Sequence, residues 1–247
     1  MIYIRSGVFF VFLIVFTTFY ALSCFIVNPF LSISARYNYV RGWSYGIIKA
    51  LQWICGVSYS IQGMEHVTSM MNQPVILMSK HQSAWETIAY ISLFPKQLCY
   101  VFKKELLMIP FFGWAMAMLR MIHIDRAQRD KASMAVALQG KQRLSEGCWI
   151  IIYPEGTRAP VGQQIPYRKG GARLAVDTGA FVIPIAHNAG KCWPKNSFLK
   201  YPGHITVSIG PSMATQDKNP SVVIREIENW IETEMRQIDA QSYRSVS

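Results

Sequence analysis

The sequence predicts an α/β domain, a mixed β-sheet flanked by helices, preceded by an N-terminal membrane-associated helical segment. Three observations carry this prediction. Beyond about residue 60, apolar runs of strand length alternate with stretches of helical length, the pattern of layered αβ architecture. Ahead of them, 30 residues between Arg5 and Arg36 carry no formal charge. Hydrophobic residues make up 51% of the chain and charged residues 16%, against about 25% charge in ordinary soluble domains. That composition excludes a disordered or acidic tail protein. One dominant uncharged stretch excludes a polytopic transporter. The 247 residues suit one αβ domain plus an attachment segment. We place anchoring helices in 1–59 and the globular domain in 60–247.

In chain order, the first element is the apolar core from Gly7 to Val27. As a helix it extends about 32 Å, close to the hydrocarbon thickness of a bilayer. A membrane-spanning or deeply inserted anchor is expected. A cleaved signal peptide fits less well, since the run is longer than a usual h-region and no clear cleavage site follows. A buried core helix is disfavoured because the run has no amphipathic face. Arg36, Arg41 and Lys49 follow the run and only Arg5 precedes it. The positive-inside bias therefore puts the downstream chain on the cytoplasmic face of the inner (plasma) membrane. The stretch Trp43–Val57 mixes Trp43, Leu51 and Trp53 with Lys49 and Gln52. It reads as an amphipathic helix lying in the interface or capping the globular core.

In the globular part, strands are expected at Val75–Ser79, Cys99–Phe102, Met121–Ile124, Cys148–Tyr153, Phe181–Ala186 and Ile205–Ile209. Helices are expected at Ala84–Leu93, Phe111–Leu119, Lys131–Ser145, Gly171–Thr178 and Pro220–Ile238. Asn219 can cap the last of these, with Pro220 in its first turn. Val223, Ile227, Trp230, Ile231 and Ile238 form its apolar stripe.

The formal charge of +11 points to an anionic partner. Nucleic acid is not expected: the basic residues are scattered, and there is no helix-turn-helix, zinc-finger or RNP pattern. An anionic leaflet or a phosphorylated substrate remains. The five cysteines, at 24, 55, 99, 148 and 192, form no CxxC pair. They read as buried apolar groups, and no metal site is expected.

Four strand ends carry residues with chemistry. His81 follows the strand VILMS, and Glu86 lies five residues on, in the first turn of the next helix. One helical turn brings that carboxylate back towards the loop, where it can accept from Nδ1–H and leave Nε2 as a base. The spacing alone is also compatible with a structural histidine and a solvated glutamate. After CWIII comes Tyr153-Pro154-Glu155-Gly156-Thr157-Arg158, in which Gly156 permits close backbone approach and Arg158 offers a planar fork for phosphate. A plain turn is the alternative. Lys103 and Lys104 follow CYVF, and Arg126 follows MIHID; these too can meet phosphate or be solvated. In αβ sheets ligands gather at one set of strand ends, so convergence of His81, Lys103, Arg126 and Arg158 is the expectation.

These blocks, KHQSAWE, FKKELLMIPFFGWAM, MIHIDR, YPEGTR and FVIPIAH, resemble in order those of the glycerolipid acyltransferase family that makes phosphatidate from lysophosphatidate. The resemblance runs from about Ile61 to Ser208. It implies a membrane-associated enzyme moving an acyl group from acyl-CoA or acyl-carrier protein, its co-substrate, to the sn-2 hydroxyl of a lysolipid, without a cofactor. By resemblance His81 is the base and Glu86 its carboxylate partner. Lys103 and Arg158 bind phosphate, with Lys104 and Arg126 as supporting candidates. Glu155, Gly156 and Thr157 shape the acceptor site, and Pro184 the acyl site. The family's usual aspartate is replaced here by Glu86. The other readings are the same chemistry on another lysolipid or on glycerol 3-phosphate, and a non-catalytic membrane lipid-binding protein.

Overall fold

The computed structural model describes residues 1–108, 112–125 and 129–244. The chain opens with two helices, α1 (Ile2–Val27) and α2 (Ile33–Ala50). The second is capped by Ser32, whose hydroxyl accepts from Ala35 N–H. Gly42 and Gly46 lie one turn apart on α2. A side chain at either would collide with Tyr20 or Phe16 of α1, so the two glycines let the helices approach closely. Trp43 Nε1 donates to Thr17 Oγ1 at 3.1 Å across the same seam.

A five-residue π turn, Leu51–Cys55, ends the pair, and Gly56 reverses the chain at φ 72°. Residues 43–57 are therefore not one interfacial helix. That helix begins earlier, at Ile33, and β1 (Val57–Gln62) takes over at its end. The remaining elements are α3 (Met64–Thr68), β2 (Val75–Ser79), α4 (Trp85–Leu93), β3 (Leu98–Lys103), α5 (Phe112–Met118), β4 (Ile122–Ile124), α6 (Arg129–Ser145), β5 (Trp149–Ile152), α7 (Gly170–Thr178), β6 (Phe181–His187), β7 (Gly203–Ile209), α8 (Pro220–Ile238) and α9 (Ala240–Arg244).

The strands form one mixed sheet ordered β1-β7-β6-β2-β5-β3-β4. Strands β6, β2, β5, β3 and β4 run parallel, and β7 is antiparallel to β6. Every residue of β2 is buried, between Ile150 and Ile151 of β5 and Val182 and Ile183 of β6. This explains its unbroken apolar run. The crossovers β2–α4–β3 and β5–α7–β6 travel in opposite directions along the sheet. Right-handed crossover therefore puts α4 and α7 on opposite faces. Helix α2 packs on α4, whereas α6, α7 and α8 pack in a row on the other side. Phe9, Tyr37, Ile47 and Leu51 of the N-terminal segment belong to the same core as the sheet.

Because β2 to β6 are mutually parallel, the segments after β2, β3, β4 and β5 all leave the sheet at one edge. That shared edge brings the residues of the next section together.

Candidate active site

His81 is the second residue past β2, and three parts of the segment after β5 hold it. Tyr153 stacks on the imidazole with ring centroids 4.0 Å apart. Glu155 Oε1 accepts from the His81 N–H at 3.0 Å. Ala159 N–H donates to the His81 carbonyl at 2.7 Å. The neighbouring strand end thus helps to set both the main chain and the ring of His81.

The fourth hold is Glu86. Its Oε1 lies 2.8 Å from His81 Nδ1 and also accepts from the N–H groups of Gln82 (3.1 Å) and Ser83 (2.9 Å). Ser83 Oγ in turn accepts from Trp85 N–H at 3.0 Å. The carboxylate that accepts the Gln82 and Ser83 N–H groups in the turn before α4 therefore also holds the imidazole. The extra methylene of glutamate reaches both partners. Glu86 is fully buried. Burial alone would raise its carboxyl, but nearby His187, the His81 ring and the Ser83 N–H outweigh it and hold the group below its ordinary value.

His187 ends β6 beneath the pair. Its Nε2 donates to the Lys80 carbonyl at 2.8 Å, its Nδ1 accepts from Ala189 N–H at 3.2 Å, and Glu86 Oε2 lies 3.9 Å away. Burial pulls its pKa down, opposed by Glu86.

His81 opens onto a cavity of about 1410 Å³, larger than the roughly 300–1,000 Å³ of common small-molecule pockets. Lys103, Gly156, Arg158, Arg168 and Arg173 line it together with His81. Its remaining walls are largely apolar, including Val40, Ile88, Ile91, Phe102 and Leu174. One ring nitrogen is committed to a carboxylate, the other is left for a proton, and four cationic side chains stand around a greasy hollow. That arrangement suits a substrate with a hydroxyl, an anionic head and a long apolar tail.

Comparison with known proteins identifies the family. Residues 58–188 match the family model described as Acyltransferase. The chain is 42% identical over 218 residues to a 1-acyl-sn-glycerol-3-phosphate acyltransferase of Pseudomonas aeruginosa, covering 87% of this chain and 83% of the relative. The chain belongs to the acyltransferase family. A coconut (Cocos nucifera) 1-acyl-sn-glycerol-3-phosphate acyltransferase is 28% identical over 73% of this chain and 56% of its own length. The crystal structure of the 1-acyl-sn-glycerophosphate (LPA) acyltransferase PlsC from Thermotoga maritima shares the fold. Its TM-score is 0.80 at 21% identity, covering 97% of this chain and 98% of that one.

In this acyltransferase His81, Lys103, Gly156 and Arg158 meet at one cavity, and Glu86 sits directly behind His81. Other expected residues are placed differently. Lys104 does not line the cavity; its ammonium lies 3.6 Å from Asp125 Oδ2 on the surface. Thr157 is exposed and also off the lining. Glu155 turns inward, 2% exposed, onto the His81 N–H and Lys80. Burial raises its carboxyl to about 8, against the pull of Lys80 and the His81 N–H and with help from Glu232. Pro184 lies in the interior of β6 with its carbonyl accepting from Gly210 N–H, away from the cavity wall. Arg126 lies outside the described residues. Sequence reasoning passed over Lys80, Tyr153, Arg168, Arg173 and His187. Only Arg168 and Arg173 carried a local signal, as cations opening a helix after the Arg158 segment.

Proposed function

We propose that this acyltransferase moves a fatty acyl group from a thioester donor, acyl-CoA or acyl-carrier protein, to the free sn-2 hydroxyl of lysophosphatidate, giving phosphatidate. The observation that carries this reading is the carboxylate-backed His81 sharing one apolar cavity with Arg158 and Lys103. The names of its relatives support the same acceptor.

His81 Nε2 takes the proton of the acceptor hydroxyl, and Glu86 stabilises the imidazolium that forms. The hydroxyl oxygen attacks the thioester carbonyl, and the C–S bond breaks as the tetrahedral centre collapses. The imidazolium then returns its proton to the leaving thiolate, so the enzyme ends as it began. Arg158 and Lys103 hold the phosphate, which turns attack into an effectively intramolecular step. No acyl-enzyme is needed. Ser83 is buried, donating to the Trp193 carbonyl at 2.6 Å and accepting from Trp85 N–H. Cys99 and Cys148 are likewise buried.

Membrane docking follows from α1. It is the one described helix long and apolar enough to cross a bilayer, with a mean hydropathy of 2.4. Yet both ends are tied to the globular part: Ser6 Oγ accepts from Lys200 N–H at 2.9 Å, and Asn28 Nδ2 contacts Met118 Sδ at 3.3 Å. Along its outer side Ile4, Val8, Val11, Val15, Phe19 and Ile26 are exposed, one continuous stripe at helical spacing. A helix pinned at both ends with one greasy face fits insertion into a single leaflet, lying along the domain. Trp53 is exposed as well, and Arg36, Arg41 and Lys49 favour an anionic, cytoplasmic leaflet.

One assay tests both parts. Purified protein added to anionic vesicles carrying lysophosphatidate, with labelled acyl-CoA and, separately, labelled acyl-carrier protein, is expected to sediment with the lipid and form labelled phosphatidate from at least one donor. Protein left in the supernatant overturns the docking; bound protein that forms no phosphatidate overturns the activity.

A further inference from the structure

We propose that Lys80 and Glu232 are positioning residues for acyl transfer, a buried ion pair that fixes the end of β2 from which His81 projects. The proposal rests on the reading of His81 as the base.

Lys80 has no exposed surface. Its Nζ lies 2.6 Å from Glu232 Oε1, 3.6 Å from Glu155 Oε1 and 3.3 Å from the Gln163 carbonyl. Tyr167 donates to the same Glu232 oxygen at 2.9 Å. The Lys80 main chain is held as firmly: its N–H donates to Ile185 O at 2.9 Å, and its carbonyl accepts from His187 Nε2 and Ser79 Oγ.

Taking one ammonium and two carboxylates out of water is costly, and apolar residues of similar volume often fill such a space at least as stably. Stability alone therefore does not account for the cluster. What the charges supply is a chain of fixed positions. Glu155 Oε1 is shared between the Lys80 ammonium and the His81 N–H, so the ammonium anchors the carboxyl that anchors the imidazole's backbone. Glu232 completes it by giving Lys80 a full counter-charge. Burial drives Glu155 towards its neutral form, which leaves Lys80 and Glu232 as the balanced pair. Glu232 belongs to α8, beyond the matched residues 58–188. The site thus extends to the C-terminal helix.

The test uses the full chain with Glu232→Gln, Lys80→Met and the double variant Lys80→Met/Glu232→Leu. A misplacement of about 1 Å costs on the order of 10²-fold in rate. Glu232→Gln is therefore expected to lower kcat about 10- to 100-fold, with the KM of lysophosphatidate and of acyl-CoA unchanged, because no substrate contact is touched. The double variant is expected to regain wild-type Tm but not wild-type kcat. A double variant with wild-type kcat shows that the pair serves folding alone and overturns the proposal. If Lys80→Met does not fold, Glu232→Gln decides: folded protein with wild-type kcat overturns the proposal equally. A His81→Ala variant with wild-type kcat instead overturns the reading of His81, and this inference with it.

Discussion

His81→Ala is expected to lower kcat for phosphatidate formation by about 10²–10⁴-fold, the usual contribution of a positioned general base. The loss falls on kcat because the variant removes only the proton acceptor. The main chain at residue 81 is held by Glu155 and Ala159, so the turn keeps its path without the ring. Arg158 and Lys103 are untouched, and the KM of lysophosphatidate should hold. The check is steady-state kinetics on folded variant in vesicles, with Tm measured alongside. Turnover within a few-fold of wild type would mean that another group takes the proton.

Glu86→Gln is expected to cost about 10- to 100-fold in kcat, the worth of roughly 1.5–3 kcal/mol of charge-assisted hydrogen bonding. Glutamine still accepts from Ser83 N–H, so the turn before α4 keeps this bond. It no longer offers a negative charge to the imidazolium. Glu86→Gln should therefore lose rate while Tm stays near wild type. Glu86→Ala should lose both, with about 1–3 kcal/mol of stability going with the buried N–H groups of Gln82 and Ser83 left without their acceptor. Equal losses of Tm in the two variants, with kcat of Glu86→Gln unchanged, would reduce Glu86 to a support of the turn before α4.

Much of this site was legible in the sequence because its parts are local. The run VILMS read as a strand, and it ends at Ser79 as expected. Asn219-Pro220 marked the start of α8 through a side chain that caps and a ring that opens a helix. The His81–Glu86 spacing encoded one turn of chain, which is all their contact requires.

Other features were out of reach for physical reasons. Lys80 looks like any solvated lysine at a strand end. Its partner Glu232 lies 152 positions away, and no local pattern links them. Glu155, in a turn beside a phosphate-seeking arginine, reads as a substrate residue until the sheet shows that it must support the adjacent strand's end. Strand β1 did alternate at Val57, Tyr59 and Ile61. That signal merges with the apolar run before it, and only the left-handed Gly56 separates them.

The central claim is that one cavity serves both the reacting hydroxyl and the phosphate of a single lipid. The ratio of kcat/KM for lysophosphatidate to that for the same lipid without its phosphate, taken in wild type and in Arg158→Ala, tests it most directly. Loss of a charge-assisted contact worth about 1.5–3 kcal/mol should shrink that ratio by about 10- to 100-fold, with the phosphate-free lipid turned over as before. A ratio that does not move in Arg158→Ala contradicts the account.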